Sequence, residues 1–229
     1  MARLTSLFHS SIGKKVFMAI TGLALVGFVV AHLGGNLLIY LGQDQLNAYG
    51  YKLKSQPVFS LLWLARAGLL SIVLYHTYTG IMLTLQNRAA RQYAYKKKTT
   101  LYASVGGRTM ILSGLVILCF AIYHILHFTL IVADPSLQHL VDAQGRHDIY
   151  SMVVLGFQNK LISFFYIISM IFLWLHVGHG ASSVWQSLGM RFQKYRWLTD
   201  RIGPAIATFL LIGNASIPLS VMLGIIQLP

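Results

Sequence analysis

Long apolar runs separated by short polar segments make up most of this chain. Five runs exceed the roughly 20 helical residues that cross a bilayer core of about 30 Å. They predict transmembrane helices near 16–41, 58–86, 108–133, 158–186 and 202–228. The pattern therefore predicts an all-α membrane protein, residues 1–229 forming a single integral membrane domain.

Proline and polar residues divide these runs. Pro57 suits the first turn of the second helix, whereas Asn214 and Pro218 should bend the fifth. The segment between Asp134 and Lys160 is the longest connection on its side of the membrane, and connections of that length are usually functional or disordered.

Composition excludes an ordinary soluble domain. Hydrophobic residues make up 56% of the 229 residues, charged residues only 10%, and the mean hydropathy is +0.64. A formal net charge of +13 would suggest nucleic acid for a soluble protein, but here the basic residues lie mostly between apolar runs, which disfavours nucleic acid. The chain has no glutamate, so a proton route through intramembrane glutamates has no candidate residue.

The distribution of lysine and arginine predicts the orientation. One set of segments holds thirteen basic residues and the other holds five, namely Lys52, Lys54, Arg66, Arg146 and Lys160. Since positive residues favour the cytoplasmic side, the N-terminus is predicted inside and the C-terminus outside. We expect a multi-pass protein of a bacterial inner (cytoplasmic) membrane.

Four histidines lie inside four different predicted helices, where an ionisable side chain is costly and suggests function. His32 and His124 follow the inner anchors Lys15 and Arg108 by seventeen and sixteen residues, so both should lie in the outer half. His76 and His176 precede inner basic residues by twelve and fifteen residues and belong nearer the inner face. The predicted pairs are therefore His32 with His124 and His76 with His176.

Glycines favour a flat ligand between these helices. Both His76 and His176 have a glycine four residues later, at Gly80 and Gly180, on the same helix face. Missing side chains there would leave room for a planar macrocycle, which a zinc ion does not need. The same histidines could instead make plain interhelical hydrogen bonds, and the glycines could serve close helix packing.

Two further histidines are alternative ligands, because His127 and His179 each lie three residues after a better-placed candidate. Either could replace its neighbour, or contact a propionate, water or quinone. The depth pattern favours His124 and His176.

Several motifs resemble the dihaem cytochrome b membrane subunit of succinate:quinone oxidoreductases and quinol:fumarate reductases. The resemblance covers nearly the whole chain. The matching segments are Ser10-Ser11-Ile-Gly13-Lys14-Lys15, Thr21-Gly22, Ala31-His32-Leu-Gly-Gly-Asn36, Tyr75-His76-Thr-Tyr-Thr-Gly80, Ser113-Gly114 leading to His124, and His176 with Gly180 and Trp185.

The resemblance implies a five-helix anchor in which four helices hold two b haems. His76 and His176 would ligate the haem nearer the cytoplasm, and His32 and His124 the outer one. A flavoprotein with covalent FAD and an iron-sulfur protein would dock on the inner face, and electrons would pass between succinate or fumarate and a quinone, with menaquinone the expected species. Some members of this family transfer protons through a glutamate just before the fourth haem ligand. This chain has no glutamate, and Trp174 lies in that neighbourhood, so the resemblance does not extend to that proton route.

Cationic and hydroxyl side chains near the haems would hold the propionates. Those expected near the inner haem are Ser10, Ser11, Lys15 and Arg108, and Arg66 is expected near the outer one. Asn36, Lys54 and Gln56 are candidates for a quinone pocket on the outer side.

Two other functions fit parts of the pattern. A bis-histidine cytochrome b could serve a hydrogenase or formate dehydrogenase, and its copurifying soluble subunits would distinguish it. A haem-free transporter could use the histidines for metal or protons, but the missing carboxylates and the histidine-glycine spacing disfavour it.

Overall fold

A computed structural model describes residues 10–90 and 105–229. Arg3 and the basic segment 91–98, which contributed to the charge count, lie outside the described residues. Within them the chain forms seven α-helices and no strand beyond an isolated bridge between Val141 and His147. The helices are α1 (Ser11–Asn36), α2 (Gln43–Lys54), α3 (Val58–Ala89), α4 (Val105–His124), α5 (Ile149–Gln158), α6 (Lys160–Ser187) and α7 (Arg196–Met222).

Five of these helices, α1, α3, α4, α6 and α7, are long and apolar enough to cross a membrane. This confirms the predicted all-α membrane fold and its five spans. Large apolar side chains on α3 face outward, with Leu64 70% and Leu70 60% exposed, as expected where lipid replaces water.

Helices α1, α3, α4 and α6 carry the four predicted ligands and form the bundle that positions them. Helix α1 packs against α3 and α6, α4 packs against α6, and α7 packs along the other side of α6. We call the end where α1 and α4 begin the basic end, and the end where α2 and α5 lie the opposite end.

The fifth span starts and ends earlier than the predicted 202–228, since α7 covers Arg196–Met222. Gly224 has φ +70°, and the Ile226 N–H donates back to the Ser220 carbonyl. A glycine in the left-handed region ends a helix because it lacks the Cβ that would be strained there. The helix continues through Pro204 and Pro218.

The connection from Asp134 to Lys160 contains more structure than the predicted loop. It holds a short 3-10 helix (Pro135–Leu137), the Val141–His147 bridge and helix α5. Helix α2 was not predicted either. Both helices are shorter than a membrane span, so their amphipathic or apolar character did not stand out among the five long runs.

Buried Asn47 on α2 joins these two elements. Its Nδ2 donates to Asp142 Oδ2 at 3.1 Å and to Asp148 Oδ1 at 2.9 Å, and its Oδ1 accepts from the Tyr150 N–H at 3.0 Å. Arg146 adds ion pairs with Asp142 and, on α2, with Asp44. The amide oxygen of Asn47 and all four carboxylate oxygens of Asp142 and Asp148 therefore accept hydrogen bonds. Such complete pairing makes the burial of this polar cluster tolerable.

The same cluster lowers the pKa of both carboxyls. Burial by itself would raise the pKa of Asp142 and Asp148, but hydrogen bonds outweigh it. Asp142 accepts from the Arg146 backbone and side chain and from Asn47, while Asp148 accepts chiefly from Ser151. Each hydrogen bond favours the charged carboxylate. Because the folded pKa is lower than the unfolded value of 3.8, these groups stabilise the fold above that pH and lose the effect as pH falls through the folded pKa.

We expect Asn47→Ala to destabilise the opposite end by about 2–4 kcal/mol at pH 7, because two buried carboxylates and a backbone N–H lose a partner. The measurement is thermal unfolding in detergent together with proteolysis of the 134–148 segment. Exposed Gln45 on the same helix supplies the control variant, Gln45→Ala. The difference between wild type and Asn47→Ala should shrink below pH 3.8; a difference independent of pH would contradict the carboxylate account.

Helices α6 and α7 cross very closely at Gly203. A Cβ added there would collide with the Gly178 carbonyl oxygen and with the backbone nitrogen and hydroxyl of Ser182. Two of these three atoms belong to backbone, which cannot move aside by changing a rotamer. Small residues at a crossing allow backbones to approach, and α7 is held on α6 in this way.

Gly203→Leu should therefore separate α7 from α6 and lower the detergent melting temperature. Overpacking typically costs 1–3 kcal/mol, and we expect at least about 3 kcal/mol where backbone must shift. Gly68→Leu is the matched control, since a Cβ at Gly68 meets no atom within 4 Å. Equal melting temperatures for the two variants would show that the crossing is not tight.

Candidate functional site: two facing histidine pairs

Two pairs of imidazole rings face each other between the helices of the bundle. His76 on α3 and His176 on α6 have ring centroids 6.3 Å apart with planes at 68°. His32 on α1 and His124 on α4 have centroids 5.8 Å apart with planes at 86°. The structure thus brings together the same pairs that charge and spacing predicted.

The pairs lie at two depths. Thr21 of α1 touches the His76 ring, and His32 lies eleven residues further along the same helix. Ser113 of α4 touches His176, and His124 again lies eleven residues further on. At 1.5 Å per residue this rise corresponds to about 16 Å. His76 and His176 therefore lie nearer the basic end, and His32 and His124 nearer the opposite end.

The pair nearer the basic end, which we call the lower pair, is held by matching contacts from α1 and α4. Thr21 Oγ1 lies 3.0 Å from His76 Nδ1, and Ser113 Oγ lies 3.1 Å from His176 Nδ1. Each ring is thereby oriented by a hydroxyl group on a neighbouring helix.

Glycines next to those hydroxyl residues make room for the rings. A Cβ on Gly22 would lie 3.2 Å from His76 Cε1, and a Cβ on Gly114 would lie 3.2 Å from His176 Cε1. The glycines four residues after each histidine also correspond, because a Cβ on Gly80 would meet the Met18 methyl at 3.8 Å and one on Gly180 the Met110 methyl at 4.0 Å.

These matching contacts reveal an internal repeat. The segments Met18-x-x-Thr21-Gly22 and Met110-x-x-Ser113-Gly114 each place a histidine ten residues after the glycine. The sequence analysis above quoted Thr21-Gly22 and Ser113-Gly114 as separate motifs and did not compare the two segments with each other. The shared Met-x-x-[Thr or Ser]-Gly pattern ahead of a histidine is the sequence signal for these hydroxyl residues.

The pair nearer the opposite end, the upper pair, has an aromatic environment. Phe28 stacks on His32 with ring centroids 5.5 Å apart, and Phe120 lies 5.8 Å from His124. The Tyr166 hydroxyl lies 3.4 Å from His124 Nδ1 and 3.0 Å from His127 Nδ1. One phenol is thus shared between the predicted ligand and its alternative.

His127 is buried beside this pair. It lies in a π-helical turn (Ile125–Thr129) that follows His124, and its side chain packs against Gly156 of α5. Its Nε2 is one of two buried side-chain N or O atoms, among the described residues, that have no hydrogen-bond partner. A π-turn often marks a functional position, here by rotating the helix after His124.

His179 lies outside the facing pair. Its Nε2 is 3.2 Å from Ser183 Oγ one turn later, and its Cβ faces Gly106 of α4. The ring that faces His76 is that of His176.

The cationic and hydroxyl residues predicted near the inner haem lie at the same end of the bundle as the lower histidine pair. Ser10 caps α1 by accepting from the Gly13 N–H, and exposed Ser11 and Lys15 follow in its first turns. Arg108 is exposed near the start of α4, about 7.5 Å below Ser113 along the helix. All four lie toward the basic end, which is the end of the lower pair, and their role remains a prediction.

Arg66 lies ten residues before His76 on α3, about 15 Å away along the helix and therefore at the level of the upper pair. Its guanidinium carbon lies 5.0 Å from the centroid of the Trp63 ring. The quinone candidates Asn36, Lys54 and Gln56 also lie toward the opposite end, where Gln56 accepts from Ser60.

The two imidazole rings of each pair lie close together, with centroids 6.3 Å apart in the lower pair and 5.8 Å apart in the upper pair. In the described part of the chain no group of three or more His, Cys, Asp or Glu side chains could hold a metal ion. Each pair offers two ligands.

Family models, curated proteins and solved structures give no match to this chain.

Gly22→Leu should push the His76 ring away from His176, because the new side chain would begin 3.2 Å from Cε1 in a site without spare room. We expect Gly22→Leu to lower the free energy of unfolding in detergent by about 1–3 kcal/mol. Gly27→Leu should leave it almost unchanged, because a Cβ at Gly27 meets nothing within 4 Å. Thermal unfolding of the two variants makes the comparison; equal values would place His76 elsewhere.

Proposed function

We propose that this protein is the membrane-anchor cytochrome b subunit of a succinate dehydrogenase or fumarate reductase (respiratory complex II). It would relay electrons through two bis-histidine b haems between soluble flavoprotein and iron-sulfur subunits and the membrane quinone pool. The observation that carries the proposal is the presence of two facing imidazole pairs, at two depths, on four helices of one bundle.

The donor set favours haem over a bare metal ion. Each pair supplies two imidazoles, whereas a structural zinc ion takes four protein ligands. A haem brings four equatorial nitrogens and needs only the two axial ones that each pair offers. Gly22 and Gly114 let the two imidazoles of the lower pair approach α1 and α4, because a Cβ at either position would lie 3.2 Å from a ring carbon.

The side chains hold and orient the imidazoles and exclude water, while a bound haem would supply reversible one-electron chemistry between Fe(III) and Fe(II). With a histidine on each face, such a haem would have no open coordination position for oxygen or substrate. Leu33, Val177 and Leu210 form part of a buried apolar cluster where α1, α6 and α7 meet.

The depth of the two pairs supports a route along the bundle. The lower pair lies toward the basic end, where Lys14, Lys15, Arg88, Arg108 and Arg191 are located. Basic residues there suit the docking of the FAD-containing and iron-sulfur subunits, and the same charges favour a cytoplasmic position for this end. The proposed location is the bacterial inner membrane with the N-terminus cytoplasmic and the C-terminus outside.

Haem content provides the test. Wild type purified in mild detergent should contain two b haems per chain, with a reduced-minus-oxidised α-band. His76→Ala and His176→Ala should each remove the same haem, and His32→Ala and His124→Ala the other one, because both axial ligands are needed for a low-spin centre. Redox titration identifies which haem remains.

His127→Ala and His179→Ala serve as matched controls and should keep both haems. Loss of a haem in either control would move the ligand assignment to that histidine. Absence of a b-type band in wild type, or loss of different haems in His76→Ala and His176→Ala, would reject the proposal. Copurification of flavoprotein and iron-sulfur subunits separates complex II from a hydrogenase or formate dehydrogenase anchor.

A further inference from the structure

We propose that Thr21 and Ser113 are a matched pair of positioning residues, one from each half of the internal repeat, that set the reduction potential of the lower haem. They would do so by accepting a hydrogen bond from the Nδ1–H of His76 and of His176, which makes each imidazole a more basic ligand. This inference rests on the proposed function, because it needs a haem between those two histidines.

The hydrogen of the Thr21 hydroxyl is already committed. Thr21 Oγ1 lies 2.8 Å from the Phe17 carbonyl oxygen and 3.1 Å from that of Met18, and both carbonyls can only accept. The hydroxyl therefore donates to a carbonyl and can offer only a lone pair to His76 Nδ1 at 3.0 Å. We assign the proton between them to Nδ1.

Ser113 repeats this arrangement on α4. Its Oγ donates to the Met110 carbonyl at 3.1 Å and lies 3.1 Å from His176 Nδ1. Ser113 is fully buried, so water does not compete for its lone pair. His176 is thereby also assigned the Nδ1–H tautomer.

Two consequences follow for a bound haem. With hydrogen on Nδ1, the Nε2 of each ring carries the lone pair that a metal needs. An acceptor on Nδ1–H also makes the imidazole a more basic ligand, which stabilises Fe(III) and lowers the reduction potential. Iron on Nε2 keeps the hydrogen on Nδ1, so removing the hydroxyl takes away its acceptor and makes the imidazole a less basic ligand.

The upper pair provides an internal reference. Its nearest hydroxyl, that of Tyr166, lies 3.4 Å from His124 Nδ1 and is closer to His127. Thr21 and Ser113 lie about 16 Å from the upper pair along their helices. Changes at these two positions should therefore alter one haem and leave the other unchanged.

The experiment compares Thr21→Val, Ser113→Ala and the double variant with wild type, in the complex purified with its partner subunits. Redox titration of the b bands gives both midpoint potentials, and low-spin EPR gives the g values of each haem. We expect the lower haem's potential to rise in each single variant and further in the double variant. The upper haem's potential should not change, and haem affinity at the lower site should fall about tenfold.

Conservative variants and a matched control decide whether the hydroxyl itself is responsible. Thr21→Ser and Ser113→Thr keep the hydroxyl and should retain the wild-type potential. Thr84→Val removes a hydroxyl that, among the described residues, donates to the Gly80 carbonyl of its own helix, and it should change neither potential. An unchanged lower potential in the double variant, or equal shifts of both haems, would overturn the proposal. Wild type without haem would instead reject the proposed function, so the two failures are distinguishable.

Discussion

A histidine inside a lipid-facing bundle needs a partner for each ring nitrogen, because hydrocarbon offers none, and this requirement organises the rest of the structure. For His76 and His176 the Nδ1 partner is a hydroxyl on a neighbouring helix, and the remaining nitrogen is left for the facing site. Hydrogen bonds to hydroxyl groups on neighbouring helices offset the cost of burying these imidazoles. Gly22 and Gly114 lie against the two rings, where a Cβ would come within 3.2 Å of a ring carbon.

The internal repeat explains how one chain builds two such sites. Helices α1 and α4 each contribute a hydroxyl residue at the lower level and a histidine at the upper level. Helices α3 and α6 contribute the lower histidines, so each pair takes one ring from each half. The halves differ at the upper level, where His127 and Tyr166 surround only His124. This asymmetry gives the two sites different environments within a nearly symmetric frame.

Regions outside the bundle stabilise the frame by different means. At the opposite end, Asn47 joins α2 to the segment before α5 by donating to the carboxylates of Asp142 and Asp148. Along the side, α7 is held to α6 by the close backbone approach at Gly203. The first interaction is electrostatic and depends on pH, whereas the second is steric and does not.

The sequence by itself determined the five spans, since apolar length alone decides whether a helix crosses lipid. It also determined the pairing of His32 with His124 and of His76 with His176, because helix rise is constant and basic residues mark one end. Only the tertiary structure decided the contacts of Thr21 and Ser113, the sharing of Tyr166 and the position of α2, because these depend on helix rotation and crossing. Rotation is set by side chains of other helices, which local spacing does not contain.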